Sequence, residues 1–392
     1  MKAVHPLWSC ALRPFFLFAG VAAALLMAAW GLFLFAGLPL PGVPGGAFVW
    51  HAHELLFGFA FAAMTGFVLT VIPSFVGGDD FGARPVRTLA LLWFGGRLAF
   101  WTSGAFGTAG VAFSGLFHLA LLGGLAWLAA PRLWRDPERQ HLAFLWVIGG
   151  FMIGVAGFYF DALRGEAPAR WLHATLGLFM MLIVVALSRI SMRIVNHALQ
   201  EAGSTGRPYR ASPPRRRLAI AGIGLATAAE FFAPGTPLAG ACALAAAGAV
   251  LNLMMDWRIG RTLGSRRPLM LFGVYVLMAT GYALMGLALL LETGHFSAGR
   301  HLLTVGALGL AIYAVMGIAG RAHCGRPFET RWWQPAGAGL IVAAALARAL
   351  NGLELAALLW TLAWLLFVFH MAPQFWRARA DGLYGCKGTA IP

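Results

Sequence analysis

The chain is 392 residues long, 60% hydrophobic and only 11% charged, with a mean hydropathy of +0.76 and a formal net charge of +15. A soluble domain carries roughly 25% charged residues, so this composition excludes a water-soluble fold. The positive balance would otherwise suggest nucleic acid, but the basic residues lie in short breaks between apolar runs rather than in one patch, which excludes that partner.

A bilayer-spanning helix needs about 20 apolar residues, and runs of that length recur along the whole chain. The first, 14–37, is too long for a signal-peptide core and is read as a helix. The second, 48–73, opens on Trp50-His51-Ala52-His53-Glu54. The third, 86–106, encloses Arg97, which needs an anionic partner that the sequence does not identify. His118 lies in the fourth, 110–130; the fifth covers 140–162; and the sixth, 169–192, opens on Arg170 and His173. Residues 193–216, rich in Pro, Gly, Ser and Arg, read as a linker. Six further runs follow at 217–233, 237–255, 268–291, 298–320, 333–350 and 353–375. Of these, the first holds Glu230, the fourth opens on Arg300 and His301, and the last contains His370. The expected fold is an all-α polytopic membrane protein, a bundle of about twelve transmembrane helices. It forms a single integral membrane domain of two six-helix halves, about 14–192 and 217–375.

Charge sets the expected orientation. Placing the amino terminus inside puts most of the 29 Lys and Arg in inward segments, with Arg164, Arg170, Arg300 and Arg348 outside. This positive-inside bias implies that both termini are cytoplasmic. The cysteines, Cys10, Cys242, Cys324 and Cys386, form no Cys-x-x-Cys pair. A disulfide framework, a structural zinc site and covalent haem attachment are therefore not expected.

In this orientation the even-numbered helices begin at the outer face, which brings His51, His53, His173 and His301 to similar depth on one side. An ionisable side chain inside a membrane span is costly and usually functional. Neutral imidazole binds copper, iron and zinc, and bundles build such sites from facing helices. These four histidines are the candidate metal ligands; the alternative is that each merely ends a helix at the interface. Residues two apart point about 200° apart on a helix. His51 and His53 thus share a metal only if the first turn is irregular, and otherwise serve neighbouring sites. Glu54 is the candidate catalytic carboxylate, carrying a proton or orienting an imidazole. Arg170 and Arg300 suit haem propionates, with snorkelling to the interface as the alternative. His118, roughly 12 Å deep at 1.5 Å per residue, is a candidate axial haem ligand. His370 and His323 lie toward the other face, positions for a second cofactor or for simple interfacial contact.

At these motifs the chain resembles the NnrS-type nitric-oxide-response membrane proteins. The likeness is carried by Arg13-Pro14-Phe15-Phe16, by Trp50-His51-Ala52-His53-Glu54 with Leu55-Leu56-Phe57-Gly58-Phe59, by His301-Leu302-Leu303-Thr304-Val305-Gly306 and by Asp381-Gly382. The resemblance covers nearly the whole chain. It implies a bacterial inner-membrane protein with haem b and copper, tied to relief of nitrosative stress, whose partners are nitric oxide, the lipid bilayer and an electron donor that the sequence does not identify. The chain departs from the family pattern at Ser188-Arg189-Ile190-Ser191-Met192-Arg193 and at Ala322-His323-Cys324-Gly325-Arg326. The second departure touches any role for His323, while the outer histidines are unaffected.

The clustered histidines point to a metal site near the periplasmic face, and the resemblance alone implies its activity, the binding of nitric oxide and its reduction to nitrous oxide. Two other classes stay open at this point. One is a transporter for a small ion or a metal, suggested by the two six-helix halves. The other is a metal-carrying stress-response factor without turnover.

Overall fold

A computed structural model describes residues 4–137, 139 and 141–387. Among the described residues the secondary structure is helical: beside the short 3-10 segments Pro6–Trp8 and Gly260–Gly264 it forms twelve long runs. They are α1 (Leu12–Ala36), α2 (Gly46–Val76), α3 (Ala83–Trp101), α4 (Ser103–Arg135), α5 (Ala143–Leu163), α6 (Ala169–Glu201), α7 (Pro213–Phe232), α8 (Pro237–Trp257), α9 (Arg266–Leu290), α10 (Phe296–Ala322), α11 (Trp333–Ala349) and α12 (Leu353–Trp376). Among the described residues, nine of these are long and apolar enough to cross a bilayer; α3, α7 and α11 fall short by length or composition. The chain is a polytopic all-helical protein. In lipid every backbone N–H and C=O must be satisfied within the protein, which is why apolar sequence of this kind folds as helices.

Two boundaries differ from the sequence reading. The α3–α4 turn falls at Trp101–Ser103, and the break expected near residue 107 is instead a kink within α4, where Gly107 has φ 57° and ψ −140°. The linker expected over 193–216 is helical as far as Glu201. Beyond it the chain folds back. Asn196 Oδ1 accepts from the Tyr209 N–H (2.7 Å), Asn196 Nδ2 donates to the Tyr209 carbonyl (3.1 Å), and Asp256 accepts from the Ser212 N–H and from Arg215. These bonds hold the returning segment against the helical extension, whose Ile194, Val195 and Ala198 are buried.

Two compact units are distinguished. Unit 1 comprises Met1–Thr175, Val315–Glu329 and Trp364–Pro392; unit 2 comprises Leu176–Ala314 and Thr330–Ala363. The core of unit 1 is aromatic, with Phe15, Phe16, Phe57, Phe59, Phe61, Phe100, Phe151 and Trp364 fully buried. Unit 2 has a finer-grained core, with Ala243, Ala246, Val250, Leu271, Val274 and Met278 buried where α8 meets α9.

The expectation that the cysteines stay apart is corrected. Cys10 and Cys386 form a disulfide across 376 residues, joining the segment before α1 to the tail after α12; Cys242 and Cys324 are free and buried. Pairing rules based on local spacing do not register a contact between residues this remote.

Candidate functional site

The site-bearing helix is α2. About 83% of its most apolar stretch is buried, against 39% for α1, so α2 is an inner helix of its unit. It runs as a regular α-helix through His53 and then widens into a π-helical segment over Glu54–Ala60. π segments within helices are rare and frequent at functional sites. The other described one, Leu302–Leu308, follows His301 in α10. Each therefore begins immediately after a candidate histidine, and His53-x4-Gly58 is matched in spacing by His301-x4-Gly306.

Regular geometry up to His53 decides one question that the sequence left open. His51 stacks on Trp30 of α1, with ring centroids 4.3 Å apart, whereas His53 turns the other way and stacks on Phe100 at 3.5 Å. The irregularity begins one residue too late to bring the two imidazoles together.

His53 instead meets residues of α3, α4 and α5. Its Nδ1 lies 2.9 Å from Glu54 Oε1, and its Nε2 lies 2.8 Å from the Tyr159 hydroxyl. A carboxylate beside Nδ1 makes that nitrogen the N–H donor, so Nε2 accepts from Tyr159. Glu54 Oε1 also accepts from Arg97 Nη1 at 2.8 Å, which supplies the partner that Arg97 requires. Glu54 Oε2 is buried without a well-formed hydrogen bond.

His118 completes the cluster. Its Nδ1 donates to the Ser114 carbonyl one turn earlier (2.7 Å), so Nε2 carries the lone pair, and Arg97 Nη2 lies against it. The Ser114 hydroxyl lies 2.6 Å from Tyr159 and 3.1 Å from the Gly96 carbonyl. The His53 and His118 rings are 5.3 Å apart, edge to face. His53, Glu54, Arg97, Ser114, His118 and Tyr159 are all buried. Two glycines permit this packing. A Cβ on Gly58 would lie 2.8 Å from Arg97 Nη1, and one on Gly96 would lie 2.9 Å from His118 Cε1.

The remaining candidates lie elsewhere. His173 is half-buried on the first turns of α6 in unit 1, and His370 is half-buried on α12 beside Phe369. His301 belongs to unit 2, where its Nδ1 donates to the Ser297 carbonyl (2.8 Å), the same serine-to-histidine spacing and geometry as at His118. Arg170 is paired with Asp161 (2.9 Å) and Arg300 with Glu230, so both cations expected to meet propionates already face carboxylates. The sequence reading missed Tyr159 and Ser114. The one available signal was the Ser-x3-His spacing repeated at residues 114–118 and 297–301.

The cluster is charge-balanced by one guanidinium and one carboxylate. Its side chains connect Glu54, His53 and Tyr159 in turn, and the Tyr159 hydroxyl lies 2.6 Å from that of Ser114 and 3.2 Å from His118 Nδ1, a chain able to pass a proton through an apolar interior. Two imidazoles and a carboxylate fit copper or iron in donor type. His118 and His301 both show the tautomer usual for a metal-bound histidine, with the second ring nitrogen donating to a backbone carbonyl. A metal would reach His118 only if Arg97 moved off Nε2, and His53 only if Tyr159 moved off its Nε2.

Comparison with protein families now bears on this geometry. The family described as NnrS protein matches residues 6–379, nearly the whole chain. The chain belongs to the NnrS family. It is accordingly a nitric-oxide-response membrane protein. The matched region contains every residue of the buried cluster. A comparison with curated proteins finds no match.

Proposed function

We propose that this NnrS-family protein binds nitric oxide and reduces it to nitrous oxide, using haem and copper held by buried histidines. The observation that carries this reading is the closed network of His53, Glu54, Arg97, Ser114, His118 and Tyr159 inside a membrane-embedded unit. In this reading His118 serves a centre in unit 1, with His53 in its proton relay, and His301, with its carbonyl-anchored ring, serves a second position in unit 2. The bundle lies in a bacterial inner membrane with both termini cytoplasmic, the orientation that the positive-inside bias favours, which requires an even number of crossings and so some of α3, α7 and α11 as spans beside the nine longer helices.

The reaction joins two molecules of nitric oxide with two electrons and two protons to give nitrous oxide and water. Bound metals would supply the electrons, received from an external donor, and hold the two substrates close. The protein's own residues handle protons and charge. Glu54, ionised opposite Arg97, takes the proton of His53 Nδ1 as His53 Nε2 takes one from the Tyr159 hydroxyl, and presents it at Oε2. His53 Nε2 and the Tyr159 hydroxyl extend the relay to Ser114 and His118. Arg97, fixed by Glu54, offers a cation to negative charge that develops during N–N bond formation. The aromatic wall of Phe57, Phe100 and Phe158 around His53 excludes water.

The test is amperometric nitric oxide consumption by the purified full chain with a reduced electron donor, alongside headspace nitrous oxide. Consumption with stoichiometric nitrous oxide, slowed in Glu54→Gln, supports the proposal. Metal-bearing protein that neither consumes nitric oxide nor changes its spectrum on exposure to it overturns the reductase reading. Ion uptake into proteoliposomes by protein without bound metal would replace it with the transporter.

A further inference from the structure

A second cluster of metal-ligand side chains lies in unit 1, away from the buried network. Cys10, His323 and Cys386 place one ligand atom each within 4.8 Å of the others. They come from three segments far apart in sequence: the turn before α1, the loop after α10 and the tail after α12.

We propose that Cys10, Cys386 and His323 form a zinc(II) site gated by the thiol–disulfide state of the two cysteines. Oxidised, the sulfurs are joined to each other, as in this structure, and no thiolate is offered. Reduced, they supply two thiolates beside the His323 imidazole. Two thiolates and one imidazole, with a fourth position left to water, are the donor set of an open zinc site.

Three features support this assignment. First, His323 is already in a ligand's tautomer. Its Nδ1 donates to the Cys386 carbonyl (2.8 Å), which leaves the lone pair on Nε2 and ties the imidazole to the segment carrying one of the sulfurs.

Second, the three segments are held together by bonds that do not involve sulfur. Arg379 Nη1 donates to the carbonyls of His323 (3.1 Å), Gly385 (3.2 Å) and Cys386 (3.1 Å). Arg13, fully buried, donates to the carbonyls of Pro6 (3.1 Å) and Arg377 (2.8 Å) and so links the amino-terminal turn to the carboxy-terminal tail. Asp80 Oδ2 accepts from the Cys386 N–H (2.6 Å). Cleaving the S–S bond therefore leaves the ligands assembled. Cys324 is not a ligand, since its S–H donates to the Gln374 carbonyl (3.6 Å).

Third, the compartment favours the open form. The positive-inside orientation places this face in the cytoplasm, where thiols are kept reduced.

The switching step balances. A dithiol reductant gives two electrons to the Cys10–Cys386 bond and becomes a disulfide, and its two protons pass to the two sulfurs. Zinc binding then displaces both thiol protons and forms two Zn–S bonds and one Zn–N bond. A disulfide oxidant reverses the sequence and releases the ion.

The experiment compares full-length protein in detergent micelles after dithiothreitol treatment and reductant removal with protein oxidised by diamide. Both are titrated with zinc against a chromophoric chelator, so that zinc held at other histidines cancels in the difference. The reduced form binds one further equivalent, which Cys10→Ser, Cys386→Ser and His323→Ala lose and Cys324→Ser keeps. Loss of a direct ligand weakens this site beyond the roughly 10- to 100-fold typical of an outer-shell partner. In wild type, independent of any variant's folding, zinc shields Cys10 and Cys386 from iodoacetamide, and cobalt(II) in its place gives thiolate charge-transfer absorption. Equal zinc uptake by both redox forms, or unshielded cysteines in the zinc-loaded protein, overturns the proposal.

Discussion

Replacing Glu54 by Gln keeps the side chain's size and removes its charge. Glu54 is fully buried and its Oε1 serves both Arg97 (2.8 Å) and His53 (2.9 Å). The variant leaves the Arg97 guanidinium in an apolar interior with no counter-charge. Two unit charges about 4 Å apart interact by about 4 kcal/mol at an effective dielectric of 20. Breaking a buried pair from one side costs about 3–5 kcal/mol by experience with other proteins. Both figures point to the same loss. The double variant Glu54→Gln/Arg97→Met removes the orphaned cation and should recover more than half of it. The assay is equilibrium unfolding in mixed micelles, with wild type, both single variants and the double variant forming one cycle. A cost below about 1 kcal/mol for Glu54→Gln, or a double variant as unstable as the sum of the singles, would refute the charge-balance argument.

Gly96→Ala should disturb His118, because the new methyl would lie 2.9 Å from Cε1 and 3.1 Å from Nδ1. Overpacking of this kind costs about 1–3 kcal/mol. Gly123→Ala, whose methyl would meet nothing within 4 Å, should be neutral or stabilising in the same unfolding assay. Tyr159→Phe removes the hydroxyl that joins His53 to Ser114. Nitric oxide should still bind, as a spectral titration would show, while turnover falls by about a hundredfold if the relay carries the proton. Outside the membrane, hydrogen bonding to Arg379 holds the Asp381 carboxyl down at about 2, against an ordinary 3.8. A depressed value means that the ionised clamp persists above the ordinary range and is lost only as pH falls through about 2. The Asp381 carboxylate infrared band, identified by difference from Asp381→Asn, should follow that midpoint; titration near 3.8 would show that the Arg379 contact does not form.

Much of the helical layout was legible in the amino-acid sequence, because apolar run length and the absence of alternatives in lipid leave few choices. The reading failed where composition and geometry diverge. Residues 193–201 mix polar and apolar types and stay helical, since Ile194, Val195 and Ala198 are buried while Asn196 and Glu201 find partners in Tyr209 and Arg267. The candidate site was legible one residue at a time. His53, Glu54, His118 and Arg97 each stood out as polar groups in apolar surroundings, but their association did not, because hydropathy carries no information about which faces of different helices meet. Glu54 and Arg97 are 43 residues apart, His53 and Tyr159 are 106 apart, and Cys10 and Cys386 are 376 apart. Matched depth grouped His51, His53, His173 and His301 and left open whether the first two face one site; helix rotation turns His51 toward Trp30 and His53 toward Phe100. The π segments were invisible as well, since the residues of Glu54–Ala60 look like any apolar helix.

The proposed function requires the buried histidines to be metal ligands in a protein that handles nitric oxide. The most direct test is metal analysis with optical spectra, before and after nitric oxide, on the purified full chain beside His53→Ala, His118→Ala and His301→Ala. Wild type should contain haem and copper and shift its spectrum with nitric oxide, and His118→Ala and His301→Ala should each lose a metal signal that the other retains. Wild-type protein with neither a haem spectrum nor metal above background, or variants with undiminished content, would contradict it.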